Sequence, residues 1–233
     1  MLITEQVFLL LTTDKGSGEP WVGYRRFGLG AAILADLALH DVVAFTDEKR
    51  PRVNVTGELP PDAHPALVNA HQMIREKPNR RAQRWIGHSD FGRIDLSAAN
   101  LVQQGVLEEH SRGFLFIQWA QYPTRDASIE QRLRARLQQV FHGQAQETID
   151  EGVTLLIVDA VNGTRNVFKE EIRGLERKQV KGTIEEIRHS LTDPALNRIV
   201  ESVALAIKGA TAALIATVAA ANASAANATV ISN

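Results

Sequence analysis

The stretch Trp21–Leu39, WVGYRRFGLGAAILADLAL, decides the fold. Between Gly28 and Leu39 its one charge is Asp36, and a helix apolar on nearly every side has to be covered on every side. It belongs at the centre of a helical domain. Trp21, Arg25 and Arg26 crowd its start, where unpaired backbone N–H groups and the helix dipole favour an anion. A phosphate site at this helix start is the first functional expectation.

Working outward, a first helix is expected near Thr4–Thr12, followed by the turn-rich loop DKGSGEP. After the central helix, the alternating runs VVAFT and RVNVT read as a hairpin around the polar DEKRP. Asp62 or His64 can begin a helix through Glu76, and Asn79 is read as the cap of another that carries Arg80, Arg81, Arg84 and Trp85. Asp95 is read as the N-cap of LSAANLVQQ, with Gly105 ending that helix. A second hairpin should follow, with apolar runs on either side of Glu108–Gly113 and its end at Tyr122 and Pro123. Asp126 caps a long amphipathic helix with Ile129, Leu133, Leu137 and Val140 inward. TLLIVDAV is a buried helical segment, residues 167–191 form a charged, surface-laced helical region, and Asp193–Pro194 starts another helix. The expected fold is mainly α, a single helical domain around a central buried helix with two or three small β-hairpins. The domain is placed at residues 1–221 and a flexible C-terminal tail at 222–233.

The 233 residues are 44% hydrophobic and 23% charged, ordinary values for a globular protein. The absence of cysteine excludes disulfides, thiolate nucleophiles and the commonest zinc sites, and fits a cytoplasmic protein. MLITEQVFLLLTTDKG lacks the basic segment and cleavage site of a signal peptide. Ser202–Ala221 is apolar enough to test as a membrane span of about 20 residues, but Lys208 and Gly209 interrupt it and alanine supplies most of the rest. A net charge of −1 gives no long-range attraction for nucleic acid or an acidic bilayer, so such binding must come from local patches.

Catalytic and metal motifs are missing. The seven histidines show no zincin spacing, Gly28-Leu29-Gly30 has neither a preceding strand nor the third glycine of a dinucleotide loop, and no Gly-X-Ser-X-Gly elbow marks a nucleophile. Pairs such as Glu170-Glu171 and Glu185-Glu186 lie among lysines and arginines, where solvated ion pairing accounts for them. No catalytic residue, cofactor or metal is expected.

Several blocks together carry a family pattern: W-x6-GL-x4-LADLAL at Trp21–Leu39, NLVQQGVL at Asn100–Leu107, FLF at Phe114–Phe116, YPTRDASIEQRL at Tyr122–Leu133 and TLLIVDAVNGTRNVF at Thr154–Phe168. In order and spacing the chain resembles the Golgi phosphoprotein 3 family over nearly its whole length. The resemblance implies a mainly helical, non-enzymatic domain that binds phosphatidylinositol 4-phosphate as a peripheral protein on the cytosolic face of a membrane. Trp21 stands where the family's headgroup-contacting tryptophan stands, with Gly28 and Leu29 in register. The next position, an arginine in eukaryotic members, is Gly30. The family's second basic pair falls on Phe91, Gly92, Arg93 and Ile94, where Arg93 is the one basic residue. The basic N-terminal tail used for coat binding is also missing, which implies a bacterial homologue outside the Golgi coat system. The family's hairpin, here with Phe114, Phe116, Trp119 and Tyr122, is implied in shallow bilayer insertion and oligomer contacts.

Arginine's planar, always-charged fork suits phosphate. The candidate headgroup residues are Trp21, Arg25, Arg26, Arg84 and Arg93, with Arg80 and Arg81 open to the same groove. Trp119 and Tyr122, which join an apolar body to a polar tip, are the candidate membrane or oligomer contacts. The expected partners are an anionic, phosphatidylinositol 4-phosphate-like lipid and a membrane surface, with a homo-oligomer open. Two other readings remain: a winged-helix-like DNA-binding regulator, which the charge and the shortage of basic residues on Asp95–Gln104 disfavour, and a structural oligomerising protein.

Overall fold

The computed structural model describes residues 1–19, 24–114, 117–191 and 193–202, apart from the side chains of Arg112, Phe114 and residues 117–119. The helices are α1 (Ile3–Leu10), α2 (Arg25–Leu39), α3 (Pro65–Glu76), α4 (Ala82–Ile86), α5 (Ile94–Gln103), α6 (Ser128–Phe141), α7 (Ile149–Ala160), α8 (Thr164–Val167) and α9 (Arg177–Ser190). Residues 194–202 are helical as well, with the Asp193 carboxylate accepting the Ala195 N–H at 2.7 Å. Strands β1 (Val43–Phe45), β2 (Arg52–Val55) and β3 (Arg80–Arg81) form one antiparallel sheet in that order, and β4 (His110–Phe114) pairs with β5 (Ile117–Gln121) in another. The fold is mainly α with small antiparallel sheets. The remainder of the apolar stretch Ser202–Ala221 and the tail expected at 222–233 lie outside the described residues.

The core is shared by three helices rather than built round one. All eight residues of α1 are buried, as are Gly28–Leu37 of α2 and Glu151–Val158 of α7. Helix α1 packs against α2, α5, α6 and α7. Its burial is only affordable because its polar groups find partners. Asp36 of α2, 2% exposed, accepts from the Ile3 N–H at 2.9 Å, the Thr4 N–H at 2.8 Å and the Thr4 hydroxyl at 2.6 Å. The Glu5 carboxylate accepts the Leu2 N–H at 3.0 Å, and the Thr154 hydroxyl of α7 donates to Gln6 at 3.0 Å. The one acidic residue of α2 is thus the cap of another helix.

Several local expectations hold. The first hairpin pairs Val43 with Val55 and Phe45 with Val53. His64 caps α3 by accepting the Ala66 N–H at 3.2 Å, Asp126 accepts the Ser128 N–H at 2.9 Å ahead of α6, and Gly105 takes φ +73° just beyond α5. Others need correction. Asn79 caps no helix: at φ 61° it donates its N–H to Asn54 at 2.8 Å, so the chain enters β3 and α4 begins only at Ala82. Asp95 lies inside the first turn of α5, and Arg93 is the N-cap. The polar run Glu108–Gly113 is no turn, because His110–Gly113 belong to β4 and the pairing closes with Phe114 opposite Ile117.

Burial pushes the Asp36 carboxyl up to about 6 from its ordinary 3.8, outweighing the hydrogen bonds from Thr4 and Ile3 that pull it down. A carboxyl that binds protons more tightly when folded makes the fold less stable as pH rises between the two values, here by roughly 3 kcal/mol from about pH 4 to pH 6. Asp36→Asn lacks this titration. Urea melts of both proteins should show the wild-type advantage over Asp36→Asn shrinking across that interval, whereas a constant difference would mean the carboxyl titrates as if solvated. Asp36→Ala, which leaves two buried N–H groups unpaired, should be the less stable of the two variants at every pH, by roughly 1–3 kcal/mol relative to Asp36→Asn.

Candidate functional site

Helix α2 begins three residues before the expected Gly28, so Arg25 and Arg26 form its first turn. Consecutive helical residues point about 100° apart, and the two arginines part company. Arg25 turns inward. Its guanidinium lies 4.7 Å from the centroid of Phe8 and donates to the Thr12 hydroxyl, while its buried Nε has no partner among the described residues. Burial brings its pKa down to about 10, which leaves it charged at neutral pH. This arginine holds the end of α1 and is removed from the candidate headgroup set. Arg26 is exposed.

Across from Arg26 runs the segment between α4 and α5. Gly92 sits directly on the first turn of α2: a Cβ there would lie 2.5 Å from the Arg26 carbonyl oxygen and 3.1 Å from the Gly30 nitrogen. Only glycine permits this approach. The next residue, Arg93, is exposed at the start of α5. Arg26 and Arg93, 67 positions apart in sequence, therefore line one groove of ≈ 560 Å³ with Ser89, Asp90, Asp95 and Tyr122. Ile94, Glu109 and Ala120 complete the lining. Neither α2 nor α5 has a side-chain N-cap, although at α5 the Asp95 carboxylate also draws on the backbone N–H groups of Asp95 and Leu96.

The charge of the groove is mixed. Arg93 Nε donates to Asp95 at 3.0 Å, and a second nitrogen binds the other carboxylate oxygen. That bidentate bond, more than charge alone, holds the Asp95 carboxyl below its ordinary value and raises Arg93. Asp90 and Glu109 add negative charge, and Arg26 has no ion pair among the described residues.

The other candidates fall elsewhere. Arg84 is exposed on α4 but does not line the groove. Arg80 lies over the buried Trp85, 4.7 Å from its ring centroid, and Arg81 is paired with Arg52 in the sheet, so the three arginines of residues 80–84 make no common face with Arg26. Tyr122 corrects the hairpin expectation: it is 2% exposed, with its ring edge-on to Phe8 at 5.9 Å and no partner for its hydroxyl among the described residues. Burial, with Glu109 and Asp95 nearby, pushes that phenol up to about 12. Trp21 and the Trp119 side chain lie outside the described residues. Gly30 carries no basic side chain for a structural reason, since a Cβ would stand 3.0 Å from the Ile86 carbonyl oxygen. The acidic wall of the groove was not read from the sequence. Asp95 was legible through the Arg-X-Asp spacing, but Asp90 and Glu109 reach the groove only through the tertiary fold.

A mainly α domain with small antiparallel sheets is the architecture that the sequence blocks implied. The Golgi phosphoprotein 3 (GPP34) family model matches residues 3–203, and the chain belongs to that family. A lipid-binding adaptor fits this membership at the level of the family, which is Golgi-associated and not known as a family of enzymes. No curated protein matches the chain. Among the described residues, no helix is long and apolar enough to cross a membrane, and no three His, Asp or Glu side chains cluster to hold a metal ion.

The two neighbouring arginines should separate cleanly on substitution. Arg25→Ala is expected to cost roughly 1–3 kcal/mol by losing the contact over Phe8 and the bond to Thr12. Arg26→Ala should change the thermal midpoint by no more than the scatter of a surface substitution. Equal losses in the two melts would show that Arg25 is not a packing residue.

Proposed function

We infer that the protein is a peripheral, non-enzymatic membrane-binding module whose groove takes a phosphorylated, phosphoinositide-type headgroup on the cytosolic face of a membrane. The observation that carries this reading is the meeting of two helix starts without side-chain N-caps, α2 and α5, each with an exposed arginine, over the glycine contact at residue 92. Arg26 is the free cation at that meeting point, and Arg93 is a second one held in reserve by Asp95. A headgroup phosphate would take Arg93 from Asp95, since the phosphate offers the same bidentate geometry with more charge. Trp21 lies only five positions before Arg26 and is the side chain that would cover the sugar ring. Arg84 is at most a peripheral contributor, and Trp119 on β5 is the remaining hairpin candidate for bilayer contact.

The winged-helix alternative gains nothing from α5. That helix is followed by a hairpin as a recognition helix would be, yet it contains no basic residue, opens on an exposed Asp95 and buries Ser97, Ala98 and Leu101.

Sedimentation with phosphatidylcholine vesicles containing a few per cent phosphatidylinositol 4-phosphate tests the reading. Arg26→Ala and Arg93→Ala should each weaken binding roughly tenfold, in line with the loss of one charged hydrogen bond of about 1.5–3 kcal/mol. Asp95→Asn, which frees Arg93, should strengthen it. Binding that is indifferent to all three substitutions would remove the groove from the mechanism.

A further inference from the structure

Residues 165–181 hold six basic side chains against three acidic ones in a protein whose net charge is −1. Arg165, Lys169, Arg177, Lys178 and Lys181 are all exposed, and none of them has an ion pair or side-chain hydrogen bond among the described residues. The acids are already engaged: Glu171 is buried and bound to Arg134 at 3.0 Å, Glu170 pairs with Arg173, and Glu176, the N-cap of α9, forms a capping box in which its carboxylate faces the Gln179 N–H and its own N–H donates to the Gln179 side chain at 2.7 Å. The cations also stand in an unfavourable place. Arg177 and Lys178 occupy the first turn of α9, which has no acidic residue, so they oppose the positive end of the helix dipole.

The segment lies at the same end of the molecule as the groove. Val161, at the end of α7, comes within 3.7 Å of where a Cβ on Gly28 would sit, one turn into α2. Helix α8 follows at once, and its Val167 carbonyl accepts from Arg134 of α6 at 2.9 Å. Helix α9 runs back along α7, because Ile187 packs on Gly152 and the Ser190 hydroxyl donates to Glu147 at 2.8 Å. Its other end, Arg177–Lys181, therefore points toward the end of α7 that meets the start of α2.

We propose that this cationic flank, Arg165 to Lys181, is a second membrane contact that senses the diffuse negative charge of an anionic leaflet while the groove takes a single headgroup. The inference rests on the reading that the protein works at a membrane, but not on which headgroup the groove selects. Basic side chains held within a Debye length of an acidic leaflet are attracted without fixed partners, which suits exposed, unpaired cations.

The test uses the full chain and two vesicle types: phosphatidylcholine with phosphatidylserine, and phosphatidylcholine with a few per cent phosphatidylinositol 4-phosphate. In the variant Arg177→Glu, Lys178→Glu, Lys181→Gln, two acidic residues enter the first turn of α9 and favour the helix, so a thermal melt at or above that of wild type confirms folding. Partitioning onto phosphatidylserine vesicles should fall roughly tenfold or more, with a shallower dependence on salt. Arg26→Ala should weaken binding to the phosphoinositide vesicles by a larger factor than binding to the phosphatidylserine vesicles. The inference is overturned if wild type ignores phosphatidylserine vesicles at low salt, if the triple variant binds them as wild type does, or if the same residues hold duplex DNA under salt conditions that release vesicles. Binding to phosphatidylserine without any phosphoinositide preference would sink the groove reading and leave the flank standing.

Discussion

A carboxylate inside a hydrophobic core is costly unless its oxygens are occupied, and Asp36 occupies them with the start of another helix. The pairing settles two problems together. Helix α1 can be buried along its whole length because its first N–H groups are satisfied by α2 and by Glu5, and α2 can keep its one acidic residue because that charge faces a helix dipole. The Gln6–Thr154 bond fixes α1 to α7 in the same way. With α1, α2 and α7 locked, α3 and α5 pack against this centre from one side and α9 from another. The position of α5, and so of Arg93, follows from this arrangement.

Much of this architecture was legible in the chain. Periodicity and capping residues located α3 through His64, α6 through Asp126 and the helix after Asp193, because each signal acts within a few residues of itself. Alternation located the β1–β2 hairpin for the same reason. The failures came where a local signal met a tertiary one. Asn79 looks like a cap, yet it is taken up by Asn54 of the neighbouring strand. Glu108–Gly113 looks like a turn, yet His110–Gly113 form one strand of a two-stranded ribbon. That α1 is as central as α2 was hidden because Thr4, Glu5 and Gln6 make it look amphipathic until their partners are known.

The candidate site divides along the same line. Arg26 and Arg93 could be singled out from their places at helix starts and from the family resemblance. That Arg25 faces the other way depends on a boundary three residues from the one expected, and a 100° rotation per residue turns such an error into the difference between a core contact and a ligand contact. Tyr122 shows the related ambiguity of aromatic residues, whose apolar body can be spent on a membrane or on the core. Here it lies against Phe8, the ring that Arg25 also covers, so the base of the hairpin is tied into the packing under α1.

The glycine pair at 30 and 92 bears on how such a site can change over generations. At residue 30, where the family resemblance places an arginine in eukaryotic members, the Ile86 backbone leaves no room for even a methyl group without movement, and residue 92 is sealed in turn by the Arg26 carbonyl. A side chain at residue 30 asks the Ile86 backbone to give by a few tenths of an ångström, and one at residue 92 asks for a larger shift away from the Arg26 carbonyl. The segment from 86 to 92 would have to retreat in either case, so residues 30 and 92 are bound to drift as a linked pair, and sequences with a side chain at one should carry a longer or displaced loop at the other.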